Sequence, residues 1–215
     1  MGLLLLLLPV FIVSPIIIAL VALNIVTISY GELGLSQDAA IALLIATLIG
    51  SMINIPISSK KIDYEEPKSF VSRHFYYAPP RLTKQIVVVN LGRAIIPTVF
   101  SIYLTLRAPL VPTLVATVAV ILVARLFSRV VPDAGITMPA FIAPLVSAGL
   151  ALLLARDHPA PVAFISGTMG TLIGADLLNW PNFKKLGSYM VSIGGAGVFD
   201  GVFLSGILAV AISSI

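Results

Sequence analysis

Apolar runs of roughly 17 to 27 residues recur along this chain, among them Leu3 to about Ser29 and Leu110 to Leu126, and they limit what it can fold into. As helices, about 20 residues cover the ~30 Å of hydrocarbon in a bilayer. Membrane barrels need short segments of alternating polarity, and the sequence has no such series. Soluble domains carry about a quarter charged residues. Here 59% of 215 positions are hydrophobic and 10% charged, with a mean hydropathy of +1.09. The expected class is therefore all-α, a polytopic transmembrane helix bundle forming one integral membrane domain over residues 1–215.

Seven runs are expected to be membrane helices: 3–29, 39–57, 86–106, 110–126, 139–155, 162–178 and 189–215. The first is too long for the core of a cleaved leader and is kept as a span. Pro56 marks the exit of the second, and Pro97 is expected to kink the third. Residues 58–85 are the one long polar stretch, a basic and aromatic loop in which Lys60, Lys61, Lys68, Arg73, Arg81 and Lys84 alternate with Phe70, Phe75, Tyr76 and Tyr77. Rings at headgroup level and cations facing anionic lipid suit a cytoplasmic, interfacial loop. The charges are mixed in sign and accompany no nucleic-acid motif, so no nucleic-acid partner is expected.

Seven spans put the termini on opposite sides. With a cytoplasmic N-terminus, only Arg107 and Arg156 of the thirteen Lys and Arg residues lie outside. The positive-inside rule selects this topology, a multi-pass protein of the cell membrane.

Within these runs the exceptional residues are Asp176 and Asp200. The other seven acidic residues fall in loops or at segment ends. A carboxylate at membrane depth costs roughly 2.5–3.5 kcal/mol on insertion scales, which makes it a candidate functional group. A structural alternative is that each aspartate ends a helix or packs, satisfied by backbone amides or by Asn90, Asn179 or a serine.

In the expected topology the sixth helix runs inward and brings Asp176 near its cytoplasmic exit at Asn179. Asp200 follows Tyr189 by eleven residues, roughly 16 Å if all helical, but the SIGGAG segment at 192–197 is rich in residues that disfavour helix. Unwinding there would bring Asp200 towards the level of Asp176, and irregular backbone at that depth is tolerated where it is buried or lines a wet cavity. Gly167, Gly170 and Gly174 form one small-residue face, and Gly197, Gly201 and Ser205 another. On a regular helix Asp176 points away from its own glycine face, so the sixth helix is expected to be packed on both sides or broken between Gly174 and Asp176.

Two close carboxylates in a low-dielectric site share a proton and titrate as a pair. The ionised member can activate water while the protonated member polarises an amide carbonyl, the apparatus of an aspartyl protease. Asp176 and Asp200 are the catalytic candidates, with Gly174, Gly197, Gly201, Asn179, Pro139 and Ala140 as lining residues. No cofactor is needed. No metal is expected, because neither His74 nor His158 has a second His or a Cys at ligand spacing. Lipid is the expected partner, transmembrane peptides are the substrates under this reading, and a homo-oligomer is left open. The alternative is a transporter or channel that binds a proton or cation at the same carboxylates, suited by the glycine-interrupted seventh helix.

The stretches GTLIGADLLN and SIGGAGVFDGVFLSGILA, with VVNLGRAIIP and GITMPAFIAPL upstream, resemble the domain-of-unknown-function 1614 family of archaeal and bacterial polytopic membrane proteins. That resemblance carries no activity with it. A second resemblance is to the GxGD intramembrane aspartyl proteases, the presenilin and signal-peptide-peptidase group. It implies catalytic roles for Asp200 in Gly197-Val198-Phe199-Asp200 and Asp176 in Gly174-Ala175-Asp176, and a counterpart of the Pro-Ala-Leu segment in Pro139-Ala140-Phe141. The chain departs from that pattern at Phe199, which replaces the glycine before the aspartate, and places its Pro-Ala segment before the aspartates.

Overall fold

The structure, a computed structural model, describes residues 24, 28–61, 84–131, 135–186 and 190–195. In chain order, a helical turn at 28–32 precedes α1 (Gln37–Gly50), β1 (Asn54–Lys61) and β2 (Lys84–Asn90). A π-helical turn, Leu91–Ile95, leads into α2 (Ile96–Leu104), followed by α3 (Leu110–Phe127) and a short β3–β4 hairpin (Arg129–Val131, Gly135–Thr137). Then come α4 (Ile142–Leu154) and α5 (Pro159–Thr171), which continues through a second π-helical turn, Leu172–Asp176, into a 3-10 segment, Leu177–Leu186. The last described element is β5 (Met190–Ile193).

Helices predominate, but the all-α expectation is corrected by five strands among the described residues. β1 pairs antiparallel with β2, and β2 pairs parallel with β5, giving the sheet order β1-β2-β5. The third expected helix begins instead as strand. Ile86 to Val89 is a β-branched run that packs well on a pleated surface, and Val87 and Val88 are buried there. The second expected helix stops at Gly50, and Asn54 to Ile57 pass into β1. Pro56 is accommodated because β1 is an edge strand with a register shift between Pro56 and Ser58.

The expected count of seven spans is not reached among the described residues. Among the described residues, Leu110–Phe127 and Pro159–Phe183 are long and apolar enough to cross a membrane, while Gln37–Gly50, Leu91–Leu104 and Ile142–Leu154 are apolar but shorter. The first expected run up to residue 23, the polar loop from 62 to 83, and the last run beyond 195 lie outside the described residues.

α5 is the central helix, packed against α2, α3 and α4 and buried over most of its length. Its sequence suits that place, since Gly170 and Gly174 allow α3 to approach closely. A Cβ at Gly170 would stand 2.6 Å from the Val120 side chain, and one at Gly174 would stand 2.9 Å from the Ala124 Cβ. α3 answers with small or compact residues, Thr113, Ala116, Val120 and Ala124, at helical spacing on its buried face. Its opposite face exposes Leu114, Val118 and Leu122, which are 55–65% accessible. Contiguous exposed apolar surface of this kind marks contact with lipid or protein.

The elements sort to two ends. At one end, Glu32–Gly34, Arg107 and Arg156–Pro161 line one cleft. Beside it, Tyr30, Phe100 and Phe164 form an aromatic cluster, with Phe100 and Phe164 edge to face at 5.1 Å. The sheet, the β3–β4 hairpin and the 3-10 segment gather at the other end, where Val87, Ala94, Leu172, Phe183, Val191 and Ile193 share an apolar cluster flanked by Val130 and Ile136.

Candidate functional site

Asp176 closes the second π-helical turn and is 2% exposed. The wider π turn resolves the geometry expected from the sequence. Gly174 keeps its contact with α3, while the extra residue per turn swings Asp176 to another side of the helix. There Asp176 Oδ2 accepts the backbone N–H of Gly194 at 2.7 Å.

Gly194 ends β5 in the left-handed region, with φ of 77°. A Cβ at this position would lie 3.0 Å from both the Ala94 Cβ and the Arg93 carbonyl carbon. Two local requirements thus select glycine, a positive φ and close approach to the first π-helical turn. That turn is itself held by Asn90, whose Oδ1 accepts the Arg93 N–H at 2.8 Å and whose Nδ2 donates to the Ser51 carbonyl at 2.8 Å and to Asn54 Oδ1 at 3.0 Å. Both π turns therefore converge on Gly194. Such bulges recur at functional sites.

The expected unwinding of the SIGGAG segment is visible in its first half, where Ser192 and Ile193 are strand and Gly194 is a turn. Asp200, Gly197 and Gly201 lie outside the described residues. Of the remaining lining candidates, Gly174 faces α3 rather than a cleft. Asn179 is 1% exposed and bridges neighbouring elements: it accepts from Arg125 Nη1 at 2.8 Å and donates to Ser128 Oγ at 2.9 Å and to the Ala175 carbonyl at 2.8 Å. It ties the end of the central helix to the end of α3. Pro139 is exposed and Ala140 half-buried, in the turn that opens α4.

Chemically, the described site is one buried carboxylate held in a fixed orientation by a backbone amide. That bond is also the structural satisfaction the sequence allowed for. A lone carboxylate of this kind can exchange a proton or take part in binding a cation, and an aspartyl mechanism needs the second carboxylate. Among the described residues no group of three or more His, Asp or Glu is placed to hold a metal ion.

Sequence reasoning missed the Gly194 amide as the partner of Asp176, and it missed the first π turn. The signals present were the paired glycines after Ile193 and Asn90 placed just before Leu-Gly. It also read His158 as interfacial and did not see the cleft it lines with Arg107 and Arg156.

No curated protein matches the chain, and no solved structure matches it. A family model described as "Protein of unknown function (DUF1614)" matches residues 48–212, which include both π turns, the sheet and both candidate aspartates. The chain belongs to this family.

Proposed function

We propose that this chain is a multi-pass protein of the cell membrane with a cytoplasmic N-terminus, and that Asp176 and Asp200 form an aspartyl dyad that hydrolyses peptide bonds within or near the bilayer. The observation that carries this reading is the bond from the Gly194 amide to Asp176, because it fixes the start of the segment leading to Asp200 at the other carboxylate. Five residues lie between Gly194 and Asp200. The Asp200 Cα would lie roughly 9 Å from that of Gly194 along a helix, and no more than about 22 Å away along a fully extended chain. Water held between the two carboxyl groups would lose its proton to the ionised member as it attacks, while the protonated member polarises the carbonyl and then delivers a proton to the leaving nitrogen.

The membrane setting draws support from the exposed leucine and valine face of α3 and from the two-ended arrangement. Arg125 and Arg129 lie at the sheet end, and Arg107 and Arg156 at the cleft end. A place for an extended substrate is also at hand. Among the described residues β5 pairs on one side only, with β2, and its free edge leads directly into Gly194.

The test is cleavage of single-span test peptides by the purified protein in liposomes, read by mass spectrometry. Cuts by the native chain that vanish in both Asp176→Asn and Asp200→Asn support the dyad. Cuts that persist in either folded variant remove it.

A second reading, coupled transport of a proton or cation, is favoured by a separate observation. Ser101, Thr168 and Thr171 are fully buried, and among the described residues their hydroxyl oxygens have no hydrogen-bond partner. Thr168 and Thr171 precede Asp176 on the same helix, and hydroxyls so placed would pass protons or strip water from an ion. Asp176-dependent proton flux without peptide cleavage would select this reading.

A further inference from the structure

At the end of the bundle away from Asp176, three connections meet around a half-open cleft of about 500 Å³. The 28–32 turn contributes Glu32, the α2–α3 connection contributes Arg107, and the α4–α5 connection contributes Arg156, Asp157 and His158. Leu33 and Ala160 supply a buried apolar floor.

Arg107 is set in place by its surroundings. Its Nη1 donates to the Gly34 carbonyl at 3.1 Å, and its guanidinium lies 5.2 Å from the Tyr103 ring centroid. Those contacts fix the side chain and leave further N–H donors on the same fork. Opposite charges thus line one cleft, and among the described residues no ion pair joins them. Arg107 and Arg156 come from different connections, and a ligand that touches both must present several acceptor oxygens. Glu32 and Asp157 then call for a cation on the same ligand. The helix start adds little to this: α5 opens Pro159-Ala160-Pro161, so two of its first three positions have no N–H to offer an anion.

We propose that this cleft is a binding site for a phosphate oxyanion with a neighbouring ammonium, the polar chemistry of phosphoethanolamine. Arg107 and Arg156 take the phosphate, and Glu32 with Asp157 take the ammonium. A phosphate suits two separate guanidinium groups better than a carboxylate does, because it offers more oxygens to share between forks. The ligand is supplied either as the headgroup of a membrane lipid, since the cleft sits where the helices end, or as the free soluble zwitterion.

The experiment uses the full chain in phosphatidylcholine nanodiscs with and without phosphatidylethanolamine, read by native mass spectrometry, together with calorimetric titration of free phosphoethanolamine. The native protein is expected to retain phosphatidylethanolamine over phosphatidylcholine, or to bind the free zwitterion. R156Q is expected to weaken whichever is bound by about tenfold, the loss expected for one charge-assisted hydrogen bond. E32Q is expected to weaken phosphoethanolamine binding while leaving binding of inorganic phosphate unchanged. Lipid retention without binding of the free compound assigns the headgroup, and the converse assigns the soluble ligand. Both variants sit at exposed positions, and a melting curve checks their fold. Binding of neither form by the native protein, or equal binding by native, R156Q and E32Q chains, overturns the proposal.

Discussion

The backbone N–H of Gly194 donates to the Asp176 carboxylate across 2.7 Å, joining the end of the buried central helix to the turn that follows β5. Eighteen residues of sequence, including the 3-10 segment, close on themselves through this bond. Removing the acceptor leaves a buried amide without a partner. Asp176→Leu is therefore expected to cost about 1–3 kcal/mol, while Asp176→Asn, which keeps an acceptor oxygen, costs less. Denaturant or thermal unfolding of both variants in detergent measures the difference.

Neighbouring glycines should respond very differently. Gly194→Ala demands a left-handed alanine, worth roughly 1–2 kcal/mol, and pushes a methyl to 3.0 Å from the first π turn. Among the described residues, Gly195→Ala meets only the Ser192 carbonyl at an ordinary 3.5 Å. Paired melting curves should show a clear loss for the first and little change for the second.

Close approach of α3 and α5 gives another contrast. At Gly174 a Cβ would lie 2.5 Å from the Ile121 carbonyl oxygen, whereas among the described residues Gly149 of α4 has nothing within 4 Å. Gly174→Ala is expected to destabilise by about 1–3 kcal/mol through overpacking. Gly149→Ala is expected to be neutral or stabilising by up to about 1 kcal/mol, because alanine is the better helix residue.

Much of this organisation was legible before the fold was known, and the limits of that legibility are physical. Leu110 to Leu126 has one reading, and α3 occupies it nearly end to end. Ile86 to Val89 has two, since a short apolar run fits a buried strand as well as a helix, and its β-branched residues were the overlooked clue. Glycine spacing left two options for the helix around Asp176, packing on both sides or a break between Gly174 and Asp176, and the π turn found there depends on tertiary contacts that no single helix encodes. Gly194 stood out as a helix breaker. That its amide finds a carboxylate eighteen residues away follows only from the pairing of β5 with β2.

The chain has no cysteine, so single cysteines report cleanly on the membrane setting. Leu122→Cys, on the exposed face of α3, is expected to resist polar maleimides in bilayers. Asp157→Cys and Arg129→Cys, at opposite ends, are expected to label from opposite sides, Asp157→Cys from outside. Labelling of both from one side would contradict the multi-pass arrangement.

The central claim is that the carboxylates of Asp176 and Asp200 meet. The most direct measurement is oxidative cross-linking of the Asp176→Cys, Asp200→Cys double variant in membranes, with Asp157→Cys, Asp200→Cys as the control. A disulfide needs Cα atoms about 4.4–6.8 Å apart, and a thiol-specific linker one water wide extends that reach. The account predicts rapid intramolecular cross-linking of the 176–200 pair and none of the 157–200 pair. Absence of any 176–200 cross-link in protein shown by its melting curve to be folded would contradict the dyad and leave Asp176 as a structural acceptor for Gly194 alone.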